Sequence, residues 1–314
     1  MIDGHLSSAV PVTSGVPQGS ILGPLLFNIY MNSISKLQLS PNARLVLYAD
    51  DILLFKPIDN AKDKEDFQND LSLISDWIQQ HGLHINHLKT QLLPISRCKN
   101  IPPLSITVIG HVIPPSSEVK YLGVTLTSSL SWNQHISNVT KATKQLLGRV
   151  HRKFRGAPRH LRHKIYQTTV LPKLDYCSSV WDPHQQSCIN QLEQVQKFAG
   201  KVIMQDWASD HHTTYASLNL HPLRLRRRAQ KLKMTYKIIN NHSCIPKSIF
   251  QLHPHPSPRS ANSCQLYAPF ASTNAYKYSF FIDVVSYWNS LPQDIVSSPS
   301  PNSFKTRLFR HLFC

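Results

Sequence analysis

The pattern of hydrophobic and polar positions mixes helix and strand signals over the first 127 residues and becomes helical afterwards. An apolar stretch over residues 24–38 opens with Pro24, which suits the first turn of a helix because the missing N–H is not needed there. Two short β-favouring runs, residues 44–48 and 52–55, flank Ala-Asp-Asp and predict a β-hairpin.

Residues 61–81 show the periodicity of an amphipathic helix. Asn60 is the predicted N-cap, and Gly82 is the predicted stop. The apolar positions recur at steps of four, three and four, at Phe67, Leu71, Ile74 and Ile78. Strand-like pieces then follow around residues 83–95, 105–113 and 118–127.

Helical periodicity governs the chain beyond about residue 130. It begins at Trp132 and continues over residues 158–180, 185–204 and 222–241. A stretch rich in Pro, Ser and Asn at residues 253–275 predicts a loop, and helical tail segments follow at 278–291 and 302–312. The sequence therefore predicts an α+β fold with domains at residues 1–127, 128–241 and 242–314.

Composition narrows the class of protein. A hydrophobic content of 41% excludes disorder throughout the chain. The longest apolar stretch, residues 21–31, is interrupted by glycine, proline and asparagine and is shorter than the ~20 residues of a membrane span. No signal peptide is recognisable. The six cysteines form no Cys-x-x-Cys pair, which predicts reduced thiols in an intracellular protein and leaves nucleus or cytoplasm open.

Charge is unevenly distributed, with a formal net value of +17. Residues 1–80 carry nine acidic and five basic residues, whereas residues 81–314 carry eight acidic and 29 basic residues. Basic residues are densest at 141–164 and 224–237, which favours nucleic acid as partner through counterion release. A solvated basic surface or an anionic membrane contact remains the alternative. The residues predicted to contact the nucleic-acid backbone are Lys141, Lys144, Arg149, Arg152, Lys153 and Arg155.

Glycine is scarce, at ten residues, yet three of the ten stand at positions 15, 19 and 23. Glycines before a helix let a ligand or another backbone approach closely, and the helix start offers free N–H groups to an anion. A plain structural turn would use the same residues.

Asp50 and Asp51 lie side by side at the tip of the predicted hairpin. Neighbouring side chains of a strand point to opposite faces, so both can lean toward one ion only at a turn. Asp50, the first to leave the strand, is expected to be the better ligand. Adjacent carboxylates repel unless a cation joins them, and Mg²⁺ prefers oxygen ligands. A solvated acidic turn is the alternative.

The combination of these features resembles the reverse transcriptases of non-LTR (LINE-type) retrotransposons, particularly the jockey-like group. The segment Ser14-Gly-Val-Pro-Gln-Gly-Ser-Ile-Leu-Gly-Pro-Leu-Leu-Phe27 is similar to palm motif B, and Tyr48-Ala-Asp-Asp51 is similar to motif C. The resemblance implies that Asp50 and Asp51 are catalytic metal ligands. It also implies a nucleotide- and template-binding role for Gly15, Pro17, Gln18, Gly19 and Tyr48.

Further motifs follow the same family. Trp77 and Asn86-His-Leu-Lys89-Thr90 resemble motif D, which implies that Lys89 donates a proton to the leaving pyrophosphate. Lys120-Tyr-Leu-Gly-Val124 resembles motif E, the primer grip, with Leu122 and Gly123 at its centre. Similarity to the family's thumb and post-thumb regions is found at Leu171-Pro-Lys-Leu-Asp-Tyr-Cys177, at Trp181 and at Tyr287-Trp-Asn-Ser-Leu-Pro292.

The resemblance implies an RNA-directed DNA polymerase built from a partial palm, an all-α thumb and a helical C-terminal region. Mg²⁺ is the expected cofactor, with Mn²⁺ as a substitute. The expected partners are an RNA template, a DNA primer and deoxynucleoside triphosphates, without a membrane. The oligomeric state stays open.

One departure from the family pattern concerns motif A, which supplies a further essential aspartate upstream of motif B. Asp3 is the single acid before the glycine-rich segment, and it does not match motif A. We therefore expect a truncated copy that polymerises near background on its own. The alternatives are a non-catalytic nucleic-acid-binding remnant that uses the basic helices at 141–164 and 222–237, and a decayed element without function.

Overall fold

The computed structural model describes residues 11, 14–96, 105–254 and 261–313. The chain divides into two compact units, Met1–Ser117 and Glu118–Cys314. In these ranges, the strands form two-stranded antiparallel hairpins, and helices make up most of the rest. The predicted α+β class is confirmed, and the division into three domains stays a prediction. Asp3 lies outside the described residues.

The first unit combines two α-helices with two hairpins. A turn of 3-10 helix at Asn32–Lys36 follows the first α-helix. The bounds are α1 Gly23–Met31, β1 Arg44–Tyr48, β2 Asp51–Phe55, α2 Ala61–Gln80, β3 Ile106–Val108 and β4 His111–Ile113.

Helix α1 is shorter than the sequence predicts. Pro24 lies in its first turn, as expected. The α-helix ends at Met31 because the polar residues beyond it compete for backbone hydrogen bonds. The Ser35 hydroxyl, for example, donates to the Asn32 carbonyl at 2.7 Å.

Helix α2 confirms the predicted cap and stop. The Asn60 side chain accepts a hydrogen bond from the Asp63 backbone N–H at 3.0 Å, and the Asp63 carboxylate accepts one from the Asn60 N–H at 3.2 Å. These two bonds form a capping box. Gly82 follows the end of the helix with a φ of 63°, a conformation that glycine adopts at little cost.

The strand predicted at residues 83–95 is not formed, apart from a single β-bridge between Leu92 and Pro115. The reason is a turn at Asn86, whose side chain accepts hydrogen bonds from the backbone N–H groups of Leu88 and Lys89 at 3.1 and 3.2 Å. Asparagine favours such turns because its side chain replaces a backbone partner.

Helix α2 carries the core of the first unit. Ile74, Trp77 and Ile78 pack against Met31 of α1 and the inward side chains of β1 and β2. An adjacent cluster joins the same helix to the hairpin of β3 and β4. The β1–β2 hairpin is therefore held on one face by both helices of this unit.

The second unit opens with a hairpin and is otherwise helical. None of its described helices, and none in the first unit, is long and apolar enough to span a bilayer. The bounds are β5 Glu118–Tyr121, β6 Val124–Thr127, α3 Asn133–Lys153, α4 Arg159–Ile165, α5 Leu171–Asp175, α6 Ser178–Trp181, α7 Gln186–Met204, α8 His211–Leu218, α9 Leu223–Ile239, α10 Asn274–Lys277, α11 Phe280–Asn289, α12 Gln293–Val296 and α13 Pro301–Phe313.

The helix predicted over residues 158–180 is interrupted. A π-helical turn at Tyr166–Val170 separates α4 from α5. Pro172 has no N–H to continue a regular ladder, and Cys177 adopts a left-handed φ of 50° before α6. Apolar periodicity alone did not reveal these breaks, because the buried positions keep nearly helical spacing across them.

Two clusters of buried side chains form the core of the second unit. In one, Trp181 is fully buried among residues of α3 and α7 such as Ile136 and Leu192. In the other, Phe304 stacks between Tyr236 and Trp288 at centroid distances of 4.3 and 6.0 Å. Helix α9 contributes to both clusters and therefore ties them together.

Buried ion pairs connect three segments of this unit. The Asp182 carboxylate accepts hydrogen bonds from Arg227 Nε at 2.6 Å and contacts Lys231 Nζ at 2.9 Å. Lys231 Nζ also donates to Asp283 of α11 at 2.7 Å. Burial lowers the pKa of Lys231, but the two carboxylates more than offset that effect and the net shift is upward. The cluster therefore favours the charged form of Lys231 inside the fold.

Replacing Asp182 with alanine is expected to destabilise the second unit by about 3 kcal/mol or more, because Arg227 then stays buried without its counter-charge. Urea unfolding followed by circular dichroism measures the loss. Asp76→Ala, which removes an exposed carboxylate from α2, is the control and should change the free energy of unfolding by less than about 0.5 kcal/mol. Equal effects of the two substitutions would contradict the role assigned to the cluster.

Candidate active site and nucleic-acid interface

The glycine-rich segment forms a tight loop at the start of α1. Gly15 and Gly19 have φ values of 89° and 83°, which residues with a side chain rarely adopt. Gly23 has an ordinary φ, but a Cβ there would lie 2.9 Å from the Ser20 hydroxyl and 3.1 Å from the Pro17 carbonyl. All three glycines therefore have a backbone reason that does not depend on a ligand.

The same loop presents its predicted nucleotide- and template-binding residues to solvent. Gly15, Pro17, Gln18 and Gly19 are exposed. The Ser20 hydroxyl closes the loop, since it donates to the Pro17 carbonyl at 2.8 Å and accepts from the Gly23 N–H at 3.0 Å. The loop is fixed by these hydrogen bonds and its backbone is exposed, so a ligand can approach the backbone closely.

The two adjacent aspartates occupy the turn of the first hairpin. Tyr48 pairs with Asp51, so Ala49 and Asp50 are the two turn residues. Strand β2 begins at Asp51, one residue earlier than the sequence predicts, because this pairing extends the ladder. Ala49 has a φ of 51°, which is uncommon for a residue with a side chain.

Strand alternation separates an inner and an outer face of this hairpin. The inner side chains are Leu45, Leu47, Ile52 and Leu54, which pack in the core with α1 and α2. Tyr48 and Asp51 share the outer face, and Tyr48 is 62% exposed. In the part of the chain that the structure describes, the side chains of Asp50 and Asp51 form no hydrogen bond and no ion pair. Both carboxylates are exposed and available.

The residues present fit part of a divalent-metal site. Two neighbouring carboxylates suit a hard oxygen-preferring ion. Among the described residues, no third histidine, cysteine or acidic side chain completes a set around Asp50 and Asp51. The three-ligand group that does occur lies in the second unit, at Asp210, His211 and His212. Sequence spacing did not reveal that group, in which Asp210 also caps α8.

The predicted motif D residues have different environments. Lys89 is exposed at the turn that Asn86 closes. Trp77 is 6% exposed and stacks on His81 with ring centroids 3.9 Å apart, so it belongs to the core. The His81 backbone carbonyl accepts a hydrogen bond from the Tyr30 hydroxyl, which ties α1 to the end of α2. Lys89 thus remains the chemically available residue of this motif.

The predicted primer grip is the turn between β5 and β6 in the second unit. Leu122 and Gly123 have φ values of 45° and 81°, the pattern of a type I′ turn. Behind this hairpin, the Thr125 N–H donates to His135 Nδ1 at 3.2 Å. His135 is buried, and burial together with the nearby Lys120 lowers its pKa. Its neutral form therefore supports the hairpin.

Helix α3 carries a free basic face. Its buried side includes Ile136, Leu147 and Val150, whereas five of the six cations predicted to contact the nucleic-acid backbone are exposed residues of this helix and Arg155 follows its end. Among the described residues, none of those cations forms an ion pair, and all are exposed. Two of them lie in the last turn of the helix, where positive charge also favours the helix dipole. The six are Lys141, Lys144, Arg149, Arg152, Lys153 and Arg155.

The second basic segment, at 222–237, is largely committed within the fold, which corrects its prediction as a free binding surface. Arg226 pairs with Asp175, and Arg228 lies 4.3 Å over the Tyr287 ring. Arg227 and Lys231 belong to the buried ion cluster. Sequence reasoning missed this because the matching acids stand about 45 to 52 positions away along the chain.

Comparisons with known proteins show what part of the chain is similar to. Residues 1–126 match the family model described as reverse transcriptase (RNA-dependent DNA polymerase). This region contains the glycine-rich loop, the aspartate turn and the predicted motifs D and E. Over these 126 of its 314 residues, the chain is similar to the reverse transcriptases.

The relatives are more particular. The RNA-directed DNA polymerase from mobile element jockey of Drosophila melanogaster is 27% identical over 208 residues, or 62% of this chain and 22% of that protein. The Drosophila funebris jockey polymerase is 27% identical over 218 residues, 65% of this chain and 23% of its own length. The Pol polyprotein from the type-1 retrotransposable element R1 2 of Nasonia vitripennis is 27% identical over 177 residues, which cover 53% of this chain and 43% of that protein.

The chain is thus related to the RNA-directed DNA polymerases of non-LTR retrotransposons, and the predicted resemblance is confirmed. It spans less than half of the length of these curated relatives. The roles of individual site residues stay predictions.

Acidification is expected to destabilise the second unit. Burial lowers the pKa of His135, His163 and His221 below the ordinary value of 6.5, and Lys120, Arg159 and Arg226 add to the respective shifts. The unfolded chain then binds more protons than the folded chain, so stability falls as the pH drops below about 6.5. Thermal unfolding at pH 7.5 and 5.5 measures this loss.

His135→Gln retains an acceptor for the Thr125 N–H and should make the loss of stability on acidification smaller. His160→Gln, at an exposed position, is the matched control and should leave the pH dependence as it is. A stability that rises on acidification would contradict the assignment.

Proposed function

We propose that this chain forms the metal-binding, primer-holding and thumb part of an RNA-directed DNA polymerase of a non-LTR retrotransposon. The observation that carries the proposal is the turn of the first hairpin, which holds two exposed and unpaired carboxylates next to a strained Ala49. Backbone strain of this kind persists where the surrounding structure fixes it, and it is frequent at functional sites. The match of residues 1–126 to the reverse transcriptase family supports the same function.

Asp50 and Asp51 would hold the divalent ions of this site. When bound, Mg²⁺ activates the primer 3′ hydroxyl and stabilises the leaving pyrophosphate. The two carboxylates are exposed at the hairpin tip and would supply oxygen ligands to the ions. Lys89, exposed at its turn, is the proposed proton donor to the pyrophosphate. The loop at Gly15–Gly19 would position the template and the incoming nucleotide.

The second unit would hold the nucleic acid. Leu122 and Gly123 at the tip of the β5–β6 hairpin are the proposed primer grip. The basic face of α3 would contact phosphates of the template–primer duplex, since its cations are exposed and without ion-pair partners among the described residues. The proposed substrates are an RNA template, a DNA primer and deoxynucleoside triphosphates.

A double substitution of Asp50 and Asp51 by asparagine is expected to weaken Mg²⁺-dependent binding of a deoxynucleoside triphosphate by about tenfold or more, a loss of about 1.4 kcal/mol. Calorimetric titration with and without Mg²⁺ measures the difference. The control exchanges two exposed acids of the same unit, Asp59→Asn with Asp76→Asn. If both double variants lose the same affinity, the hairpin tip is not the metal site.

Primer extension by this chain alone is expected to stay near background, because the described residues provide two carboxylates and no third ligand at the turn. Loss of an essential metal ligand costs several kcal/mol of transition-state stabilisation, and each 1.36 kcal/mol is tenfold in rate. Efficient Mg²⁺-dependent DNA synthesis on an RNA template would show that the ligand set is complete.

Replacement of Lys141, Lys144 and Arg152 by glutamine is expected to weaken duplex binding. It should also reduce the slope of log K against log salt by about 0.9 for each phosphate that the variant no longer neutralises. Fluorescence anisotropy over a salt series measures the slope. The matched control replaces Lys247, Lys305 and Arg310, which are also exposed and lie in the same unit. A slope reduced equally by the control would contradict a specific basic face on α3.

A further inference from the structure

A tyrosine outside the motifs used so far contacts the proposed primer grip directly. The Tyr176 hydroxyl donates a hydrogen bond to the Leu122 carbonyl at 2.8 Å. The Tyr176 ring also covers Gly123, because a Cβ on that glycine would lie 3.3 Å from ring atom Cε1. Both residues of the turn between β5 and β6 therefore contact one side chain.

The turn has a reason to need such a contact. Leu122 adopts a positive φ of 45°, which is disfavoured for a residue with a branched side chain. Type I′ turns usually carry asparagine, aspartate or glycine at this position. The backbone conformation of Leu122 sets the orientation of the peptide group between Leu122 and Gly123. The hydrogen bond from Tyr176 holds the carbonyl of that peptide group in place.

Tyr176 is itself fixed from the core. Its backbone N–H donates to the Pro172 carbonyl at 2.9 Å, and its carbonyl accepts from the Trp181 indole N–H at 2.8 Å. Trp181 is fully buried, so the anchor is rigid. Tyr176 itself, in contrast, is 54% exposed. Core packing therefore does not explain why the ring points to the turn.

We propose that Tyr176 is a positioning residue, which sets the conformation of the Leu122–Gly123 turn and through it the hold on the primer 3′ end. This inference rests on the proposed function of the turn. A turn that is fixed before binding loses less entropy when the primer docks, which favours binding. Tyr176 connects the β5–β6 hairpin to α5 and α6. A residue of the predicted thumb therefore supports the predicted primer grip.

Three variants separate the contacts. Tyr176→Phe removes the hydroxyl alone, and Tyr176→Ala removes the ring as well. Tyr276→Phe is the matched control, because Tyr276 is another tyrosine of the same unit and is 46% exposed. Tyr176→Phe removes a single hydroxyl from a residue that is 54% exposed and is expected to fold, so the test does not depend on the larger truncation.

The first readout is amide hydrogen exchange in the full chain. We expect exchange at residues 122–125 to become at least threefold faster in Tyr176→Phe and faster still in Tyr176→Ala, with no change there in Tyr276→Phe. Unchanged exchange at the turn in both Tyr176 variants would overturn the proposal.

The second readout is affinity for two duplexes of equal length, an RNA–DNA hybrid with a recessed DNA 3′ end and a blunt hybrid. We expect the unaltered chain to prefer the recessed end and Tyr176→Phe to lose threefold to tenfold of affinity for it, while blunt-duplex affinity is retained. Faster exchange with an unchanged preference would make Tyr176 a structural brace only and overturn the positioning role.

The outcomes also distinguish this inference from the proposed function. An unaltered chain without any preference for the recessed end would overturn the primer grip and the role of Tyr176 together. A clear preference that Tyr176→Phe leaves intact would overturn the role of Tyr176 alone.

The packing of the ring on Gly123 gives an independent check. Gly123→Ala should disturb the turn in the unaltered background, both through its φ and through the Tyr176 ring. Its effect on recessed-end affinity should be at least twofold smaller in the Tyr176→Ala background, where the ring is absent. Equal effects in the two backgrounds would contradict this packing.

Discussion

Pairing of Tyr48 with Asp51 across a two-residue turn is the constraint on which the proposed site depends. It forces Ala49 into a left-handed conformation and leaves Asp50 and Asp51 adjacent at the tip of an otherwise apolar hairpin. The inner side chains of the hairpin pack against α1 and α2, so the tip cannot turn inward to bury the two carboxylates. Core packing thus keeps both carboxylates of these neighbouring residues exposed, an arrangement that suits a divalent cation.

The second unit shows how a strongly basic chain can divide its cations between structure and binding. Helix α9 directs Arg227 and Lys231 into a cluster with Asp182 and Asp283, where removal of one partner would leave a buried charge unpaired. Helix α3 instead packs through an apolar and threonine-rich side and leaves its cations in solvent. Both helices are rich in basic residues. Among the described residues, the ion-pair partners of those cations distinguish the role of α9 from that of α3.

Local signals account for what the sequence predicts well. The Asn60 cap, the Gly82 stop and the periodic apolar residues define α2 without reference to the rest of the chain. Long-range interactions account for the failures. The ion pairs of α9 join residues about 45 to 52 positions apart, and the apolar stretch at 83–95 becomes a turn through the Asn86 side chain. At the site, sequence motifs predict the aspartate turn, but the brace by Tyr176 follows only from the fold.

Paramagnetic relaxation by Mn²⁺ shows where the divalent ion binds, because Mn²⁺ replaces Mg²⁺ and broadens the amide signals near its site. We expect broadening at substoichiometric Mn²⁺ that is centred on residues 49–52 and disappears when Asp50 and Asp51 are both replaced by asparagine. Broadening confined to Asp210–His212, or signals at residues 49–52 that do not respond to Mn²⁺, would contradict this expectation.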